Sequence, residues 1–276
     1  MKGPRTTAII GLGLMGGSLA RDLAAGGTRI AAYDTDRDVV AAAIAAGVVA
    51  EPLDRSLQGI ASAGLIVIAT PVDSALETLD AIAAHAAPDA VITDVGSVKR
   101  PIEHRARALG IASRFVGSHP LTGDHRSGWV ASRDSLFAGV PVFICPNEDS
   151  RAEATETVIS LWSHLGATIE RLDAESHDQR MAWLSHLPQV ASSALSLALS
   201  RSSFISAQLG PGGRDATRLA ASSPPLWSAI ATANADHITL AVDELRAALD
   251  TFRDALARED QDELRALFDA GNRWRA

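Results

Sequence analysis

At 276 residues the chain is long enough for two domains and a sizeable core. Hydrophobic residues make up 47% and charged residues 21%, a globular balance that excludes intrinsic disorder. The net charge of −8 argues against nucleic acid or an anionic membrane as a general partner, because both require an electropositive footprint.

The first predicted strand is the apolar run Thr7-Ala8-Ile9-Ile10, which stops at Gly11; a helical pattern begins at Leu14. The pattern G-x-G-x-x-G (Gly11, Leu12, Gly13, Leu14, Met15, Gly16) therefore falls where a strand turns into a helix. There Gly11 permits a tight turn, Gly13 lets a pyrophosphate approach the backbone, and Gly16 lets the helix pack close to its strand. The free N–H groups of the helix start would meet the anion. A second apolar run, Arg29–Tyr33, ends in Asp34, about 20 residues beyond the glycines, where this fold places the carboxylate that accepts from the ribose hydroxyls. Such a carboxylate repels a 2′-phosphate, so NAD is the predicted cofactor.

Residues 37–46 read as a helix closing on Gly47. The run Gly64–Ala69 is continuously apolar, as a central parallel strand is when helices cover both faces, and it ends at Thr70-Pro71 on the sheet edge facing the cofactor. A helix over Ser74–His85 leads to a strand from Ala90, with Gly96-Ser97 in the loop that follows; a helix over Ile102–Leu109 precedes the strand and loop Phe115–Gly123. The strands Val140–Cys145 and Ala167–Leu172 flank a helix over Arg151–Leu165. Cys145 is the lone cysteine, read as a buried strand thiol; it excludes an internal disulfide and suits a reducing cytoplasm. The eight histidines show no metal-ligand spacing, and no apolar span is long enough for a membrane, so no metal, no membrane and a cytoplasmic location are expected.

This alternation predicts an α/β fold: a doubly wound, Rossmann-type dinucleotide-binding domain over 1–172. Beyond it, strand signals vanish and an all-helical domain over 173–276 is expected. Residues 174–207 read as one long helix kinked at Pro188, Leu209–Gly213 as a breaker, and 216–220, 226–258 and 260–274 as helices. The long, alanine- and leucine-rich helix 226–258 predicts a homodimer formed through this domain.

His119 is the sharpest candidate for chemistry. It follows a strand, precedes a proline, and lies on a sheet-edge loop facing the cofactor, where neutral imidazole suits a proton acceptor; a strand-end structural histidine is the alternative. Ser97, one strand earlier at the same edge, is placed to orient that ring or a substrate hydroxyl, or else to cap a helix. His186 lies in an apolar helix, where burying imidazole needs a partner. Arg214 and Arg218, one turn apart, are suited to gripping carboxylates.

Taken together, Gly11–Ser18, Asp94–Lys99, Gly117–Gly123 with Ser127-Gly128, Ser185-His186-Leu187-Pro188 and Gly213–Ala220 resemble one family: the prephenate and arogenate dehydrogenases of tyrosine biosynthesis, in a short form without chorismate mutase or ACT module. The resemblance implies hydride transfer from a ring C4 hydroxyl to NAD with loss of the ring carboxylate. It implies His119 as the group that takes the hydroxyl proton, Ser97 as its helper, Arg218 on a substrate carboxylate and Arg214 as a second basic position. His186, Gln189, Thr122, Gly123, Asp124 and Ser127 would border the substrate, a small anionic molecule. Two positions depart from the family pattern. Gln189 stands where a second histidine is frequent, and Asp124-His125 stand where a glutamate is usual. Substrate preference is therefore open, with arogenate as the competitor. The β-hydroxyacid and 6-phosphogluconate dehydrogenases share the plan but need a lysine on the first long helix of the second domain, and 174–207 contains none. A non-catalytic dinucleotide sensor is the remaining alternative.

Overall fold

The computed structural model describes residues 6–123 and 126–275, and the chain divides into two compact units. The first, Met1–Met181 with Ser222–Ala233, is organised around β1 (Thr6–Ile10), buried along its whole length. Parallel partners flank it, β2 (Ile30–Tyr33) on one side and β4 (Ala63–Ile68) on the other, and β3 (Glu51–Pro52) and β5 (Val91–Asp94) complete the order β3-β2-β1-β4-β5. The helices α1 (Leu14–Ala25), α2 (Arg37–Ala45) and α3 (Val72–His85) lie between these strands in the chain, and α4 (Arg100–Ala108) follows β5. Ile9 and Val67 pack into one core with Leu19, Phe137 and Trp162, while Ile10 and Ile66 pack into another with Leu79, Ile82 and Phe115. Burial on both faces is why these strands are apolar without alternation.

A smaller sheet follows: β6 (Val116–Pro120), β7 (Pro141–Pro146) and β8 (Thr168–Arg171). It is joined to β5 by an Ile92–Phe115 bridge. Here the sheet departs from a wholly parallel winding, because β7 runs antiparallel to β6. Among the described residues the β6–β7 connection carries a 3₁₀ turn at Trp129–Ala131 and further turns over 134–139 but no crossover helix, and the chain returns antiparallel. The helix α5 (Ala152–His164) then restores a parallel β7–β8 pair. By packing, α6 (Ala174–Met181) and α9 (Pro224–Ala233) group with this unit.

The β1–α1 turn is sterically committed to glycine. Gly11 sits at φ +97°, and a Cβ there would lie 2.5 Å from the Ala69 carbonyl oxygen; one at Gly16 would lie 1.9 Å from the Gly11 carbonyl oxygen. A Cβ at Gly17 would instead meet the Ser132 Cβ at 2.8 Å and the Trp129 ring at 2.9 Å. The β6–β7 connection thus lies directly on α1. Arg133 N–H donates to Ser18 Oγ (3.0 Å), Arg21 Nε donates to Ser132 Oγ (2.9 Å), and the Arg21 guanidinium stacks 4.1 Å above the Trp129 ring.

The second unit, Ala182–Ala221 with Asn234–Ala276, is all helical among its described residues. The expected helix 174–207 divides into α6, a π-helical turn at Ala182–His186, and α7 (Leu187–Ser200). Pro188 has no N–H to offer the Leu184 carbonyl and its ring crowds that oxygen, so the preceding turn widens. The expected breaker at 209–213 is corrected: α8 (Pro211–Thr217) begins there, because proline is well suited to the first helical position, and it passes into a 3₁₀ turn at Arg218–Ala221. The expected helix 226–258 is also corrected, since Asn234 (φ −128°, ψ 32°) separates α9 from α10 (Ala235–Ala257). The last helix is α11 (Gln261–Arg275). Among the described residues no helix is long and apolar enough to cross a membrane.

Gly16→Ala should force the nucleotide turn to shift, costing about 1–3 kcal/mol of stability as overpacking does, together with weaker NAD binding. Chemical denaturation and NAD titration check this, and unchanged values in both would contradict it.

Candidate active site

The turn after β1 and the end of β2 form one cradle. The Asp34 carboxylate accepts from Leu12 N–H (2.7 Å) and from Asp36 N–H (2.9 Å), so it is pinned to the glycine turn. It borders a cavity of about 1100 Å³ lined also by Gly13, Arg37, Arg55, Thr70 and Pro71. A Cβ on Gly13 would meet nothing within 4 Å, so that backbone faces open space where a pyrophosphate would pass. The buried Thr70 hydroxyl has no hydrogen-bond partner among the described residues, which leaves a polar group for a ligand to satisfy. Leu14 and Met15 form the first turn of α1 and pack against the core. Gly96 donates its N–H to Asp94 (2.8 Å). The residues present therefore fit a dinucleotide.

His119 lies on β6, opposite Phe143 of β7. Its Nδ1 is 2.9 Å from His177 Nε2, and His177 Nδ1 is 2.8 Å from Asp178 Oδ1. Both partners are fully buried on α6. Asp178 also accepts from the N–H groups of Lys99 (2.7 Å) and Arg100 (2.9 Å), at the head of α4. Burial opposes the Asp178 charge, but the hydrogen bonds from His177 and these N–H groups outweigh it and hold its pKa below the usual carboxylate value. Burial also pushes the His177 pKa down, more than the bond to Asp178 raises it, so His177 is neutral near pH 7. Beneath this chain lies a second buried pair: the Lys99 ammonium bonds Asp94, and it also donates to the Ser118 carbonyl (2.8 Å), next to His119 in the strand. Cys145 is buried nearby on β7, where burial pushes its thiol pKa well up and keeps it protonated.

Ser97 is half-buried in the loop between β5 and α4 and makes no hydrogen bond with the described residues; Lys99 rather than Ser97 precedes the first turn of α4. Thr122 is half-buried, with its N–H on the Pro120 carbonyl (2.9 Å), while Gly123 and Ser127 are exposed; Asp124 lies outside the described residues. In the helical unit His186 is buried, and Asn234 Nδ2 donates to its Nδ1 (3.2 Å), which assigns the ring proton to Nε2. Gln189 donates to the Leu219 carbonyl (2.8 Å), tying α7 to the turn that carries Arg218. Arg214 is exposed and donates to the Leu209 carbonyl (2.9 Å). Arg218 is exposed and has no ion-pair partner among the described residues.

Sequence reasoning missed His177, Asp178, Asp94 and Lys99. A signal existed for the first two: Ala174, His177, Asp178 and Met181 fall at i, i+3, i+4 and i+7, the spacing of a buried helix face, and two of them are titratable.

Comparison with known proteins places the whole chain. Residues 19–171 match the family model described as prephenate dehydrogenase, nucleotide-binding domain, and residues 173–270 match the one described as prephenate dehydrogenase, dimerization domain. The prephenate dehydrogenase of Bacillus subtilis is 30% identical, over 98% of this chain and 75% of its own length. Among solved structures, prephenate dehydrogenase from A. aeolicus in complex with hydroxyphenyl propionate and NAD+ superposes with TM-score 0.92 at 27% identity, covering 98% of this chain and 97% of that one. Synechocystis arogenate dehydrogenase superposes with TM-score 0.85 at 29% identity, covering 98% of each. With both domain models matched in order along it, the chain belongs to the prephenate dehydrogenase family.

Proposed function

We propose that the chain catalyses the NAD-dependent oxidative decarboxylation of prephenate to 4-hydroxyphenylpyruvate in tyrosine biosynthesis. The observation that carries this reading is the histidine at the edge of β6, held through Nδ1 in the unit that also carries the dinucleotide cradle. NAD, when bound, takes the hydride from ring C4. Asp34 holds the ribose, and the glycine turn with the start of α1 holds the pyrophosphate. His119 takes the proton of the C4 hydroxyl through Nε2, and Ser97 stands at the same edge to help orient that hydroxyl. The ring carboxylate leaves as carbon dioxide, and the electron pair of the broken bond completes the aromatic ring. Arg218 grips a substrate carboxylate, with Arg214, His186 and the loop residues Thr122, Gly123, Asp124 and Ser127 bordering the substrate. Gln189 borders the substrate beside the Arg218 turn to which it is hydrogen-bonded.

Arogenate is the second reading, supported by the similarity to the Synechocystis enzyme. The helical unit forms a homodimer: it exposes Leu240, Leu249, Leu256 and Phe268, and it matches a dimerization-domain model.

Absorbance at the reduced-nicotinamide band, with prephenate and arogenate offered in parallel and with NAD or NADP, tests the assignment directly. Reduction of NAD by prephenate is expected, and silence with both substrates despite NAD binding would overturn the reading. His119→Asn should lower kcat by about 10²-fold or more, a general-base contribution, with NAD affinity unchanged. Arg218→Ala should weaken substrate binding by about 1.5–3 kcal/mol, read as a raised KM for the dicarboxylate with NAD affinity unaffected.

A further inference from the structure

The geometry points to His177 and Asp178 as positioning residues that set the ring tautomer of His119, making Nε2 the nitrogen that bears the lone pair. This rests on the reading of His119 as the proton acceptor and specifies how it is made ready. The argument is one of donors and acceptors. An ionised carboxylate only accepts, so His177 Nδ1, 2.8 Å from Asp178 Oδ1, must carry a proton. Neutral His177 then has its lone pair on Nε2. That atom lies 2.9 Å from His119 Nδ1, which must in turn be the donor. A neutral His119 protonated on Nδ1 has one lone pair left, on Nε2, the configuration a general base needs.

The surroundings keep the polarity of this chain in one direction. Asp178 is fully buried at the head of α4, with Oδ1 also accepting from Lys99 N–H and Oδ2 from Arg100 N–H, so its acceptor capacity is fixed by backbone. The charged and titratable groups around His177 are Asp178 and Arg180 on α6, Lys99 and Arg100 at the head of α4, Asp94 on β5 and Cys145 on β7. The Phe143 ring packs edge-on against the imidazole, with centroids 5.4 Å apart. Burial and the Lys99 ammonium both oppose a second proton on His177, the first more strongly. A doubly protonated His177 would donate from Nε2 into His119 Nδ1 and drive the His119 proton to Nε2, which would turn the base into a donor. A pair that served packing alone would have no reason for this polarity.

Ring-nitrogen NMR of the NAD-bound protein, labelled with 15N at histidine, reads the tautomer. The His119 signals are assigned by their loss in His119→Asn. The Nδ1–H form is expected for His119 in the native chain; the Nε2–H form would overturn the inference. Two replacements of His177 provide a kinetic test. A glutamine can still accept from His119 Nδ1–H while donating to Asp178, so His177→Gln should keep kcat within about tenfold, whereas His177→Leu should lose about 10²-fold with KM for NAD little changed. Equal losses in the two, with both folded by thermal melting, would overturn the proposal. Near-normal turnover in His119→Asn would instead remove His119 as the base, leaving the tautomer spectrum to stand or fall on its own.

Discussion

The face of the first unit that carries His119 depends on a carboxylate placed at the start of a helix. Asp178 satisfies the first N–H groups of α4, and in doing so it fixes α6 against α4 and gives His177 an acceptor. Directly behind it, Lys99 and Asp94 are buried as a pair and hold the Ser118 carbonyl. Buried ion pairs add little net stability compared with well-packed apolar groups, yet removing one partner costs about 3–5 kcal/mol because it strands the other charge. Such a cluster makes a poor adhesive and a good positioning device. It admits one arrangement of β5, β6, α4 and α6, and His119 projects from that arrangement.

Much of this was legible in the sequence, for reasons specific to each element. Gly11, Gly13, Gly16 and Asp34 announce themselves because each solves a local steric or hydrogen-bonding problem at short range, and continuous apolar runs mark the buried parallel strands. Local signals failed where the decisive partner was distant. The antiparallel return of β7 goes with a connection that, among its described residues, carries turns and no crossover helix. The break at Asn234 goes with a buried bond to His186, and the start of α8 at Pro211 turns an apparent glycine-rich breaker into a helix. His177 meets a partner fifty-eight residues away in the chain, so no spacing rule would pair them, although their inward helix face was readable.

Gln189 illustrates a different limit. At a position where the family often has histidine, its amide nitrogen donates to the Leu219 carbonyl and ties α7 to the turn that carries Arg218. Residue type pointed to the substrate; the hydrogen bond to a residue thirty positions away adds a tie that no spacing rule would reveal.

The second glycine of Gly16-Gly17 belongs to a different part of the machinery from the first. Gly16 is required by the turn after β1, but Gly17 is required by Trp129 and Ser132, which sit on α1 midway along the connection from β6 to β7. Side-chain bulk at residue 17 would therefore press on the β6–β7 connection rather than on the turn between β1 and α1. The first turn of α1 thus meets two separate steric demands one residue apart, one from the glycine turn and one from the connection that follows the strand of His119.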